Sequence, residues 1–195
     1  MPVSINGNTG VITGLAVGGL PDGCITADDL ASGAGGKIVN YAVTYKTDTA
    51  SSDVSYPTRT GDLIFIDYAA ANSNNKLLIM ANLAISNQHS NRTYGELYIG
   101  GSLATASLSD ASSSRGRSSF VAQPNNDDEK IILMHHNYIH GGSGTTATST
   151  TRYSYRFFHE NSSARTVYLN RSHNDSDIGS CARSASSIVI LEVSA

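Results

Sequence analysis

The sequence predicts an all-β protein: an antiparallel, jelly-roll-like β-sandwich head preceded by a glycine-rich extended stem. Three observations carry this. Nine or so apolar or alternating runs, each 5–10 residues long, follow residue 36, and loops rich in Ser, Asn, Asp and Gly separate them. Ser, Thr, Asn and Gly fill 77 of 195 positions, a composition that favours turns and exposed strand faces over helices. No helical pattern of ordinary length is visible beyond residue 37.

Residues 1–36 form the first predicted unit, an anchor and trimerisation stem. Short apolar positions, Val11, Ile12, Leu15, Val17 and Leu20, alternate with glycines, and Asn-Gly, Gly-Gly and Pro-Asp-Gly steps mark turns. One short helix is expected at Thr26–Leu30, where a capping Thr precedes two acids and Gly33 ends the run. So little apolar surface cannot fold alone. Glycines let three backbones approach one axis, so these residues and Leu30 would bury against their own copies.

Residues 37–195 form the second predicted unit, the head. "KIVNYAVTYKTDT" alternates as a strand, with Ile38, Asn40, Ala42 and Thr44 on one face and Val39, Tyr41, Val43 and Tyr45 on the other. "GDLIFIDYAA" and "NKLLIMANLAIS" are apolar strands, with a turn at 73–76 between them. "RTYGELYIGG", "RSSFVAQ" and "KIILMHHNYIH" follow, then "RYSYRFFHE", "RTVYLNRS" and "SSIVILEVS". Ten tyrosines against four phenylalanines suit half-exposed β surfaces.

A net charge of −3 and a pI near 6.0 give no basic field for nucleic acid. No apolar run approaches the roughly 18 residues of a membrane span, and the start lacks the pattern of a signal peptide. These features predict a soluble protein matured in a reducing cytoplasm, with no membrane insertion. Cys24 and Cys181 form no CxxC pair and are expected as free thiols.

Catalytic motifs are absent from the sequence: there is no GxSxG, HExxH or P-loop. "NNDDEK" at 125–130 reads as a solvated turn and "GGSG" at 141–144 as a loop. His136 and His140 share one strand face with Tyr138 and could ring an ion on a three-fold axis. No Cys or carboxylate stands beside them at zinc-ligand spacing, so a polar Tyr/His strip without metal is the expectation. No cofactor is expected. Binding residues are sought in loops at 86–93, 109–119, 141–151 and 172–184. Candidates there are His89, Asn91, Arg115, Arg117, His173, Asn174 and Asp175.

Both ends of the chain resemble small fibre and virion structural proteins of tailed phages, of the cyanobacterial and marine type. The lead-in "INGNTGVITGLAVGGLPDGCITADDLASGAGGKI" is similar to theirs. So are Val167-Tyr168-Leu169-Asn170-Arg171-Ser172 with Asn174-Asp175, and Ser187-Ile188 with Glu192 in the final strand. The resemblance implies a homotrimeric fibre head in the virion, docked through its N-terminus on an adaptor, baseplate or capsid protein. Adhesion to a host-surface glycan or protein is the expected role, and no catalytic motif is implied. A purely structural decoration trimer is the alternative, and a glycan-cleaving enzyme the remote one.

Overall fold

A computed structural model of the chain describes residues 4–6, 11–13, 37–87, 92–123, 130–159 and 163–194. The chain divides into two compact units, 1–36 and 37–195. In the first, β1 (Ser4–Asn6) and β2 (Val11–Thr13) pair antiparallel, with Ile5 opposite Ile12. Val11 and Ile12 thus belong to a hairpin strand, where the sequence predicted only extended chain. The helix expected at 26–30 lies outside the described residues, as do Leu15, Val17, Leu20, Leu30 and Cys24.

The second unit is a two-layer antiparallel sandwich. Its strands are β3 (Ile38–Lys46), β4 (Ala50–Val54), β5 (Ile64–Tyr68), β6 (Lys76–Asn87), β7 (Thr93–Ile99) and β8 (Ser102–Leu103). After these come β9 (Phe120–Ala122), β10 (Ile132–Gly141), β11 (Thr151–His159), β12 (Arg165–Leu169) and β13 (Ser186–Val193). In the first sheet β13 lies between β3 and β6, and β10 takes the other side of β6. β6 is long enough to serve two more partners end to end: β13 pairs with residues 76–82 and β12 with 85–87, while β4 lies beyond β12. In the second sheet β11 lies between β5 and β7, and β8 and β9 share the far side of β7. The chain crosses between the sheets at five of the eight steps from β5 to β13, as in a jelly-roll-like sandwich.

β4 and β8 were not legible in the sequence. Ala50-Ser51-Ser52-Asp53-Val54 has weak strand propensity, and its extended state comes from pairing with β12. The binding loop expected at 86–93 is shorter, because Ser86 and Asn87 end β6 and Thr93 opens β7.

The core fills the space between the inner faces. Leu77, Ile79, Leu83 and Ile85 of β6 and Ile188 and Ile190 of β13 meet Tyr153, Tyr155 and Phe157 of β11. Gly95 sits opposite Phe157 and Phe120, and a Cβ there would lie 2.0 Å from the Phe120 ring. The strand glycine is thus the seat of an aromatic side chain.

Two buried polar side chains lock the ends of this core. Asn170, with φ 67, donates to the carbonyls of Lys46 (2.7 Å) and Asp48 (2.9 Å) and accepts from Ser186 Oγ at 2.6 Å. It ties the β3–β4 turn to the start of β13. Glu192 accepts from Tyr68 Oη (2.6 Å), Asn75 Nδ2 (2.6 Å) and the Ala71 amide (2.9 Å), gathering the β5–β6 connection. Burial pushes its carboxyl pKa up, but these donors outweigh it and hold the group below its ordinary value.

β3 alternates as the sequence predicts, yet its apolar side faces away from the core. Tyr41 lies in register with Leu191, Leu78 and Ile139 across the four strands. The next outward row is Val43, Val189, Met80 and Asn137, and then Tyr45, Ser187, Asn82 and His135.

Candidate functional site

The outer face of the second sheet is built from arginines lying on aromatic rings. Arg152 stacks 3.8 Å above Phe65 and grips Asp67 through two hydrogen bonds of 2.9 and 3.0 Å. Arg156 stacks 4.3 Å above Tyr98 and donates to Asp62 at 2.7 Å. Arg59 stacks 4.0 Å above Phe158 and donates twice, at 2.9 Å, to the buried Glu96. Strand alternation sets this up: Arg152, Ser154, Arg156 and Phe158 all point outward from β11, opposite Tyr153, Tyr155 and Phe157. Each guanidinium meets a carboxylate by its edge and a ring by its plane, which satisfies both parts of its chemistry.

At one end of this face lies a cleft of 760 Å³. Its floor is aromatic: the Tyr94 and Phe158 rings stack at 4.8 Å and 12°, and Tyr56 leans on Phe158 at 6.4 Å. Its wall is the loop Ser114-Arg115-Gly116, with Val121 and Arg92 completing the lining. A Cβ at Gly116 would lie 3.5 Å from the Tyr94 ring, so the loop runs close over the aromatic floor. Arg117 is used internally, its Nε donating to the Ser109 carbonyl at 2.7 Å. Arg115 differs: its guanidinium has no hydrogen bond or ion pair among the described residues. An aromatic floor beside a guanidinium can stack a sugar ring and pair with an anion on it.

Among the described residues, Arg115 is the one expected binding residue that the structure brings into this cleft. His89 and Asn91 lie outside the described residues. Asp175 is paired with Arg183 (2.8 Å), and Asn174 Oδ1 accepts from Ser176 Oγ at 2.7 Å. His173 Nδ1 is 3.0 Å from Tyr168 Oη, and its ring packs on Tyr168 at 5.2 Å. These three residues build their own loop. The cleft residues that sequence reasoning missed are Tyr56, Arg92, Tyr94, Val121 and Phe158. Arg92 lay in the loop named at 86–93 without being singled out, and the sequence signal of Tyr94 and Phe158 was an aromatic at an alternate position, which is equally a core signal.

His136, Tyr138 and His140 share one face of β10, as expected, while His135 takes the other; the shared face turns inward instead of forming a surface strip. His136, Tyr138 and His140 point inward, half-buried, in a row with neighbouring ring centroids 6.4 Å apart. His136 Nδ1 lies 2.8 Å from Tyr155 Oη, and His140 meets Tyr153 edge-on. Burial holds both imidazoles below their ordinary pKa of 6.5. Their neighbours are rings and a phenol. Among the described residues no three His, Cys, Asp or Glu side chains converge as a metal site would require. Cys181 is a free thiol.

No family model matches the chain, and no curated protein matches it. Thirteen chains of solved structures do match. One is described as the structure of infectious bursal disease virus Gx strain; it is 10% identical with a TM-score of 0.42 over 79% of this chain. The chain spans 39% of the length of that one.

Proposed function

We propose that this chain is a virion structural protein of the tailed-phage fibre type, a trimeric head that uses the cleft beside Arg115 to hold an acidic glycan on a host surface. The observation that carries the adhesive role is the pairing of an aromatic floor, Tyr94 on Phe158, with a guanidinium that its own fold leaves unengaged among the described residues. The virion assignment draws on the resemblance at the chain's ends. Two of its matching positions, Asn170 and Glu192, are fully buried and fix the fold. A likeness in such residues reflects shared architecture, since each is held by several specific partners.

The test is a glycan array probed with the full chain, alongside proteomics of purified particles. Binding to sulfated, phosphorylated or uronic-acid glycans is expected, with a loss of about tenfold in Arg115→Ala. The protein should be found in the particle. Presence in the particle without glycan binding would replace adhesion with decoration. Release of sugar would make the protein an enzyme.

A further inference from the structure

Among the described residues of the second unit nothing covers the outer face of β3, β13, β6 and β10, and apolar side chains predominate on it. Tyr41 is 68% exposed, Tyr45 75%, Ile139 63%, Leu133 58% and Val43 38%. Three successive outward rows across β3, β13, β6 and β10 hold no Asp, Glu, Lys or Arg; the row at the end of the face, Ile38, Val193, Lys76 and Gly141, holds Lys76. Scattered exposed apolar residues are ordinary, but a contiguous face of them marks a contact surface.

We infer that this face packs against two further copies of the same chain around a three-fold axis. This rests on the trimeric reading above and names the surface that makes the trimer. Area is the first support. At about 200 Å² for a whole tyrosine side chain, the exposed side chains on this face offer on the order of 700 Å² per protomer, close to the roughly 800 Å² that each partner buries in a standard stable interface. Charge is the second: identical faces carry identical charges, and a face whose central rows hold no Asp, Glu, Lys or Arg, with Lys76 only at its end, meets its own copy with little repulsion. Geometry is the third. Four strands about 4.8 Å apart give a face some 19 Å wide. Three such faces closed into a prism stand roughly 5–6 Å from the axis, about half the ~10 Å spacing of packed sheets. Tyr and Leu side chains fill that distance.

Light scattering of the full chain at micromolar concentration should give a mass of three chains. Tyr41→Glu and Ile139→Glu should each give monomers with a native far-ultraviolet spectrum, and Tyr41→Phe should stay trimeric. Hydroxyl-radical footprinting of the unaltered protein needs no variant. Tyr41 and Tyr45 should be protected at least fivefold relative to Tyr56. A trimer that survives both Glu substitutions, or whose Tyr41 and Tyr45 are labelled freely, would overturn this face while leaving the trimer standing. A monomer or dimer in the unaltered protein would remove the trimer reading and this inference together.

Discussion

The two outer faces of the sandwich solve the same problem in opposite ways. Both belong to antiparallel sheets whose inner sides share one core, and both carry exposed aromatic rings. On the second sheet Arg152 covers Phe65, Arg156 covers Tyr98 and Arg59 covers Phe158, each arginine paired with a carboxylate, and on the β12 end of the first sheet Arg171 covers Tyr168. On the first sheet Tyr41 and Tyr45 have no such cover. A face finished with its own ion pairs is suited to water. A face left largely apolar is suited to burial. The difference lies in what surrounds the ring: Phe65 faces Ser154 with the Arg152–Asp67 pair one step along the same ladder, whereas Tyr41 and Tyr45 face Leu191 and Ser187.

The largest effect that would break this contrast is expected at Arg59. Glu96 is almost fully buried, and Arg59 makes its two shortest contacts. Arg59→Ala leaves a buried charge without its partner and should cost about 3 kcal/mol of stability, read by urea denaturation. A cost near zero would mean that the arginine–ring face is ornamental to folding.

Acid should act on the second sheet's ladder and on the half-buried imidazoles of β10. Burial raises the Asp62 carboxyl, but hydrogen bonds from Arg156 and Ser154 outweigh this and hold it below 3.8; Arg152 holds Asp67 below 3.8. Depressed carboxylates stabilise the fold above the unfolded pKa and lose that contribution as pH falls through the folded one. The second sheet's ladder therefore weakens below about pH 3.8. His136 and His140 act earlier. Their folded pKa lies below 6.5, so the unfolded chain takes up protons first and stability declines as pH drops below 6.5. The Tm should fall from pH 6.5 to 5, and fall less in His136→Gln. A Tm flat from pH 7 to 5 would contradict the burial of the two imidazoles.

The smallest effect is expected at Arg152, which is 45% exposed. Its pair with Asp67 and its stack on Phe65 together should shift the urea midpoint only slightly, and less in high salt. A larger loss in Arg152→Ala would show that the ladder acts as a coupled network rather than as separate pairs.

Much of the strand pattern was legible. "NKLLIMANLAIS" became β6 and "KIILMHHNYIH" became β10, because their alternation and branched or aromatic content suit a pleated, half-buried surface. β4 was not, because Ala-Ser-Ser-Asp-Val extends only through β12. Of the candidate site, Arg115 was visible as a cation in a Ser-rich loop. The aromatic floor was not, because Tyr94 and Phe158 stand far apart in sequence and meet only across the β7–β11 ladder.

The sequence by itself determined the all-β class, the order of the main strands and the two faces of each, since side-chain alternation is a local property of extended chain. The tertiary structure alone decided which face of β3 turned inward. Alternation shows that Val39, Tyr41, Val43 and Tyr45 share a side; it does not show that Ile188 and Ile190 of β13 and Ile79 of β6 already fill the other. Register with β13 fixes that choice, because slipping one residue would carry every side chain of β3 to the opposite face.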